Sequence, residues 1–147
     1  MRPSEEVMIR AGIDDMERAA TRLLSINPDC RVFCLNGPLG AGKTTLVNAF
    51  CKALEVTDTV QSPTFPIVHE YQRANGQPVY HFDLYRISSG SELSDLGFED
   101  YIDSGYFCFI EWPDIALDVL SGNFVSITLS VAGEGRHITM ENHERIK

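Results

Sequence analysis

The sequence predicts an α/β domain of three layers, in which helices cover a mixed, mainly parallel central sheet that also carries antiparallel hairpins. The first observation is a short apolar run, RVFCL (31–35), followed by a glycine-rich loop and a helical pattern. The second is the apolar run YFCFIE (106–111), which suits a strand buried on both faces. The third is two pairs of alternating segments, each around a turn, which is typical of antiparallel hairpins.

The first half of the chain contains two predicted helices. After a brief extended stretch near Val7–Ile9, apolar residues recur at helical spacing over Asp14–Leu24, which predicts a surface helix with one buried stripe. Asn27–Asp29 breaks this helix before the strand at 31–35. The second helix is expected from about Lys43 to Leu54, directly after the glycine-rich loop.

The second half of the chain predicts two hairpins and short helical pieces. PIVHEYQ (66–72) and PVYHFDL (78–84) flank an Asn-Gly turn, so we expect a hairpin there. Glycine and serine punctuate short helical pieces over 89–105, where the acidic stretch Glu99–Tyr101 is interpreted as a solvated helix face. FVSITLSVAG (124–133) and RHITME (136–141) predict a second hairpin at the edge of the sheet.

Length and composition argue for one soluble domain and against several kinds of function. With 147 residues and 44% hydrophobic content, the chain can bury one core, so residues 1–147 are expected to form a single domain. The net charge is −9, from 21 acidic and 12 basic residues without a basic run, which argues against independent, tight binding of nucleic acid. An acidic surface serves solubility or complements a basic partner. No segment approaches the roughly 20 apolar residues that span a bilayer.

The cysteines and histidines point to a reducing compartment without a zinc site. The four cysteines form no C-x-x-C pair and lie in or beside apolar runs, so they are expected to be small buried hydrophobes. The four histidines are scattered, which argues against a histidine metal site. The first residues contain no continuous apolar segment of a signal peptide, and we therefore expect a cytoplasmic protein.

The glycine-rich loop carries the most specific motif. GPLGAGKT (37–44) matches the phosphate-binding pattern G-x-x-x-x-G-K-[ST] between a predicted strand and a predicted helix, which makes the expected fold P-loop NTPase-like. Backbone N–H groups of such a loop and the helix N-terminus can surround phosphate oxygens. Lys43 is placed to reach the β- and γ-phosphates, and the Thr44 hydroxyl to ligate Mg²⁺. The alternative is a glycine-rich turn that binds nothing.

Two carboxylates are candidates for the metal and the attacking water. Asp83 follows the apolar run VYHF, and Glu111 follows YFCFI. In an open α/β sheet, ligands bind outside the carboxyl ends of the parallel strands, so both side chains are expected to face the phosphates. The alternative is a strand-end acid that points into water. The sequence leaves open which of the two orients the water.

Two further positions are weaker candidates. Thr64, in the loop SPTF (62–65), offers a hydroxyl for the γ-phosphate or Mg²⁺, although such a tetrapeptide is more often an ordinary loop. Trp112 is the only tryptophan, and it lines either the nucleotide cleft, a partner surface or the top of the core. Arg86 is interpreted first as part of a structural ion pair and second as a phosphate ligand.

Several segments, in order, resemble the bacterial tRNA threonylcarbamoyladenosine biosynthesis ATPase family called TsaE or YjeE. These segments run over most of the chain. Each of them except the first is a weak signal alone, but the whole set in this order is highly specific. The segments are GPLGAGKTTL (37–46), SPTF (62–65), EY (70–71), YHFDLYR (80–86), GFEDY (97–101) and IEWPD (110–114).

The resemblance implies that ATP sits on the loop and that Mg²⁺ is the metal. Thr44 and Glu111 would hold Mg²⁺, and Asp83 would ligate it through water or act in hydrolysis. Arg136 and the segment 13–15 are candidates for the adenine contacts. The implied nucleotide-binding residues are Gly37, Leu39, Gly40, Ala41, Gly42, Lys43, Thr44, Thr45 and Arg136.

The resemblance also implies partners. Members of this family are weak ATPases alone and act on the TsaB and TsaD proteins, of which TsaD transfers the threonylcarbamoyl group to tRNAs that read codons starting with A. ATP binding and hydrolysis by TsaE would assemble or reset that complex between turnovers, so contact with tRNA would be indirect.

Two other functions use the same loop. A small-molecule or nucleotide kinase usually surrounds the transferred phosphoryl group with several arginines, whereas only Arg73 and Arg86 lie between Arg31 and Arg136. A nucleotide-dependent switch without useful hydrolysis is the third reading, and the missing N-K-x-D motif disfavours GTP.

Overall fold

The structure is a computed structural model that describes residues 6–12, 15–57, 67–133 and 135–144. Its elements follow the predicted order, with one short 3₁₀ helix in addition. The strands are β1 (Glu6–Ala11), β2 (Val32–Asn36), β3 (Val68–Gln72), β4 (Pro78–Asp83), β5 (Phe107–Glu111), β6 (Phe124–Ala132) and β7 (Gly135–His143), and the helices are α1 (Met16–Ser25), α2 (Lys43–Ala53), α3 (Gly90–Asp95), α4 (Phe98–Ile102) and the 3₁₀ helix (Pro113–Val119).

All of these strands form one seven-stranded sheet in the order β1-β7-β6-β2-β5-β4-β3. Strand β2 lies between β5 and β6 and is parallel to both, and β4 is parallel to β5. The pairs β1–β7, β6–β7 and β3–β4 are antiparallel. The mixed sheet with a parallel centre and antiparallel hairpins is therefore confirmed. The parallel centre brings the carboxyl ends of β2, β4 and β5 to one edge.

The second hairpin does not lie at the edge of the sheet, and that prediction was wrong. Strand β6 pairs with the central strand β2, and β1 pairs with the other side of β7 and is itself the edge strand. β1 pairs with residues more than 100 positions away, for example Glu6 with Glu141. A local pattern can predict the turn between two neighbouring strands but not which distant segment joins their free side.

Two layers of helices cover the sheet, which confirms the three-layer prediction. Helices α1 and α2 pack on one face around the buried rings of Phe33, Phe50 and Phe109. Helices α3 and α4 and the 3₁₀ helix pack on the other face, where the Phe82 ring meets Phe98 at 5.0 Å.

The predicted burial of individual residues is also confirmed. Helix α1 buries one stripe consisting of Met16, Ala19, Ala20 and Leu23. All four cysteines are free and buried, and burial raises the pKa of the Cys51 and Cys108 thiols to about 12. Among the described helices, none has the length and apolar character to cross a membrane.

The aromatic cluster beneath α2 is expected to dominate the stability of this face. The Phe50 ring is fully buried, 4.7 Å from the Phe109 ring and 5.5 Å from the Phe33 ring. Phe50→Ala should lower the free energy of unfolding by about 3–5 kcal/mol because it opens a cavity that the packed sheet cannot close. Chemical denaturation measures this. The exposed Val131→Ala serves as the control, with an expected change within about 0.5 kcal/mol. A loss below about 1 kcal/mol for Phe50→Ala would contradict the packing described.

Candidate functional site

The glycine-rich loop runs from the end of β2 to the first turn of α2. Gly37 and Gly42 have φ angles of 151° and 102°, in the region that favours glycine. A Cβ on Gly37 would lie 2.7 Å from the carbonyl oxygen of Leu129, so a side chain does not fit there. The loop therefore brings its backbone directly against β6 and presents the N-terminus of α2 to the space above the sheet.

Lys43, the first residue of α2, is a buried cation whose ammonium group stays close to the loop. Lys43 is only 5% exposed. Nζ donates hydrogen bonds to the carbonyl oxygens of Gly37 and, at 3.3 Å, of Pro38. The same nitrogen lies 3.5 Å from the centroid of the Trp112 ring. Carbonyl oxygens and an aromatic face thus hold this ammonium group in place.

The electrostatic surroundings of Lys43 favour an anionic ligand. Burial lowers the pKa of the Lys43 ammonium group, and the carboxylates of Glu111 and Asp83 act against that shift. A buried ammonium group whose solvation has been lost gains most from a further negative charge at contact distance.

Glu111 ends β5 and is 3% exposed. The Thr44 hydroxyl oxygen lies 3.0 Å from each oxygen of its carboxylate. His81 Nε2 lies 2.7 Å from Glu111 Oε2. The hydroxyl of the phosphate-loop motif and the strand-end carboxylate are therefore in direct contact.

Asp83 ends β4, and its Cα pairs in register with that of Glu111 on the neighbouring parallel strand. Its Oδ1 accepts a hydrogen bond of 3.1 Å from the backbone N–H of Tyr85. No hydrogen bond from the described part of the chain occupies the second carboxylate oxygen, which is therefore open to other ligands. The structure thus brings the two predicted carboxylates to the same edge as the glycine-rich loop.

A cavity of about 330 Å³ collects most of the predicted site residues. Two further residues also line it: Trp112, for which the nucleotide cleft was one of the predicted positions, and Met16, which had no predicted nucleotide role. The predicted lining residues are Leu39, Gly40, Gly42, Lys43, Thr44, Thr45, Asp83, Glu111 and Arg136. The volume is in the range of small-molecule sites.

The remaining predicted residues lie behind the cavity wall or outside the described residues. Ala41 is fully buried, and its carbonyl oxygen accepts a hydrogen bond of 2.8 Å from Arg136 Nε. Asp15 forms an ion pair with Arg18 at 3.2 Å and does not line the cavity. Thr64, with the whole SPTF loop, and residues 13 and 14 lie outside the described residues, so those assignments stay predictions.

Trp112 lines the cavity, and it is also half-buried and packed against the hydrophobic core on the face of α3 and α4. It has a left-handed backbone conformation, with φ 57°, which ends β5 and starts the 3₁₀ helix. Its ring lies 4.9 Å from that of Tyr85, which is 56% exposed. Arg86, the other candidate near Asp83, does not line the cavity.

Sequence reasoning missed His81, which is fully buried and contacts Glu111. The pattern that could have found it is strand alternation, because residues 81 and 83 lie on the same face of β4. It also missed Met16, whose position depends on how α1 packs against the loop. Its Cε would lie 3.2 Å from a Cβ on Gly42.

The fold and this site define a P-loop-like α/β protein. The family model described as "Threonylcarbamoyl adenosine biosynthesis protein TsaE" matches residues 11–138. The chain therefore belongs to the TsaE family, as the ordered motifs predicted.

Individual relatives agree with this assignment. The Haemophilus influenzae protein named tRNA threonylcarbamoyladenosine biosynthesis protein TsaE is 34% identical over 139 residues, which cover 94% of this chain and 85% of that protein. The Bacillus subtilis protein of the same name is 39% identical over 109 residues, with 74% and 67% covered. A crystal structure of Bacillus subtilis YdiB has a TM-score of 0.73 at 26% identity, and the match covers 97% of this chain and 88% of that one.

Proposed function

We propose that this chain binds ATP with Mg²⁺ and hydrolyses it slowly, as the ATPase of tRNA threonylcarbamoyladenosine (t6A37) formation. The observation that carries the proposal is the convergence of Lys43, Thr44, Asp83 and Glu111 on one cavity beside the glycine-rich loop. Membership of the TsaE family and the names of the relatives assign the process.

The chemistry of the side chains fits a magnesium nucleotide. The Thr44 hydroxyl and the carboxylates of Glu111 and Asp83 offer oxygen ligands, which Mg²⁺ prefers, and substrate phosphates and water molecules supply the rest of its shell in such sites. Thr44 and Glu111 would hold the ion, with Asp83 ligating through water. When bound, Mg²⁺ would neutralise charge that develops on the phosphates.

The chain's own residues then have separate tasks. Loop N–H groups and the start of α2 bind the phosphates, and Lys43 exchanges its carbonyl partners for phosphate oxygens. One of the two carboxylates, Glu111 or Asp83, orients the attacking water and accepts its proton. Arg136, which lines the same cavity and donates a hydrogen bond to the loop carbonyl of Ala41, would support the adenine end of the nucleotide.

The acidic surface agrees with a role that works through proteins and reaches tRNA only indirectly. With a net charge of −9, the chain repels the phosphate backbone. The proposed partners are the TsaB and TsaD proteins of the cytoplasm, which this ATPase would assemble or reset between turnovers. The kinase alternative finds no added support, since Arg136 is the single arginine among the described residues that line the cavity.

Reconstitution of the tRNA modification tests the proposal. Purified TsaB and TsaD, tRNA, ATP and a threonylcarbamoyl donor are expected to give at most about one modification per complex without this chain and repeated turnover with it. Size-exclusion chromatography should show the chain joining the pair only with ATP. Equal multiple turnover without the chain, or failure of the chain to join the pair in ATP, would refute the proposal.

A further inference from the structure

A buried histidine lies behind the candidate metal site. His81 is 0% exposed and sits on β4, two residues before Asp83. A buried imidazole needs hydrogen-bond partners for its nitrogens, because an unpaired polar atom in the core is costly. Its Nε2 lies 2.7 Å from Glu111 Oε2, and its Nδ1 lies 3.4 Å from the hydroxyl of Tyr71, which is itself only 3% exposed.

The chemistry of the partners sets the direction of these contacts. A carboxylate only accepts, so Nε2 of His81 carries the hydrogen and donates it to Glu111. In the neutral ring Nδ1 is then the acceptor, and the Tyr71 hydroxyl donates to it. A histidine whose second nitrogen is held in this way has a fixed tautomer and a fixed ring orientation.

Glu111 needs such a support if Thr44 leaves it. The Thr44 hydroxyl has a single hydrogen, although it lies 3.0 Å from both carboxylate oxygens. In the proposed function that hydroxyl turns to Mg²⁺. Among the described residues, the hydrogen bond that then still holds the buried carboxylate is the one from His81 Nε2 to Oε2.

We propose that His81, oriented by Tyr71, is the positioning residue of Glu111: it fixes Oε2 and leaves Oε1 for the metal or its water. This inference rests on the proposed function, because it assigns Glu111 to Mg²⁺. His81 and Tyr71 do not contact the nucleotide in this arrangement and act only through Glu111.

The test compares three variants by calorimetric titration of ADP with and without Mg²⁺. His81→Leu removes the donor, His81→Gln replaces it with an amide N–H, and Tyr71→Phe removes only the hydroxyl. The quantity compared is the gain in ADP affinity that Mg²⁺ gives. We expect this gain to be about 10- to 100-fold smaller in His81→Leu than in the wild type, as is usual for residues that orient metal ligands. The ADP affinity of His81→Leu without Mg²⁺ should change by less than about threefold. His81→Gln should keep most of the gain that Mg²⁺ gives, and the gain in Tyr71→Phe should lie between those of the wild type and His81→Leu.

The outcomes separate the inference from the proposed function. A wild-type chain whose ADP affinity does not respond to Mg²⁺ would refute the proposed function. A folded His81→Leu variant with the full wild-type response would overturn the inference alone, and so would equal losses in His81→Gln and His81→Leu. A long-range ¹H–¹⁵N spectrum of the ligand-free wild type keeps the inference falsifiable if His81→Leu does not fold. A proton on Nε2 of His81 supports it, and a ring protonated only on Nδ1 overturns it.

Discussion

Lys43→Ala is expected to weaken ATP binding by at least about 100-fold, or about 2.7 kcal/mol. The ammonium group is buried, and this burial lowers its pKa because folding removes water from the charge. Phosphate oxygens would stabilise the charge in place of that water. Hydrogen bonds to charged groups contribute about 1.5–3 kcal/mol each, and Lys43 is placed to make more than one of them. Isothermal titration calorimetry measures the affinity without relying on the Trp112 ring, which the substitution itself disturbs.

The matched control is Lys52→Ala on the same helix. Lys52 forms an exposed ion pair with Glu17 at 2.9 Å, and neither residue lines the cavity. Its substitution should leave ATP affinity within about twofold, because an exposed pair contributes little. A folded Lys43→Ala protein that binds ATP within about threefold of the wild type would rule out Lys43 as a phosphate ligand.

Glu111→Gln is expected to reduce ATP turnover by at least about 100-fold and to remove most of the gain in affinity that Mg²⁺ gives, while ATP affinity without Mg²⁺ stays within about threefold. Glutamine keeps the volume and an oxygen that accepts from His81 and Thr44, so the buried contacts survive and only the negative charge is lost. Glu111→Ala would in addition leave Nε2 of the buried His81 without its acceptor. A loss of stability could then not be told apart from a loss of catalysis. Steady-state phosphate release, compared with calorimetric binding, separates the two effects.

Two further variants complete this experiment. Glu99→Gln, on the exposed face of α4, is the charge-matched control and should keep wild-type turnover. Asp83→Asn decides which carboxylate orients the water: a loss as large as that of Glu111→Gln assigns this task to Asp83, and a small loss assigns it to Glu111. Turnover unchanged in Glu111→Gln would refute its proposed role.

Much of the fold was predictable because its determinants are local. The glycine positions of the loop, the buried stripe of α1 and the Asn-Gly turn between β3 and β4 all depend on residues that are neighbours in the chain. The 3₁₀ helix Pro113–Val119 was not predicted. It begins directly after Trp112, which has a left-handed backbone conformation. Local propensity does not favour this conformation in a tryptophan, and it is accompanied by ring contacts with Lys43 and Tyr85 that form only in the folded chain.

The candidate site divides in the same way. Lys43, Thr44, Asp83 and Glu111 were predictable, because a motif and two strand ends mark them. His81 and Met16 were not singled out. Strand alternation places His81 on the same face of β4 as Asp83, but a buried histidine or methionine inside an apolar pattern looks like an ordinary core residue until its neighbours are known.

By itself, the sequence determined the phosphate-loop motif, the type of most elements, the acidic character and the order of segments that identifies the TsaE family. Only the tertiary structure decided that β1 closes the sheet beyond β7 and that His81 and Tyr71 stand behind Glu111. The physical reason is distance along the chain. Motifs and periodicities arise from neighbouring residues, whereas strand order and the partners of a buried polar atom arise from segments that meet only after folding.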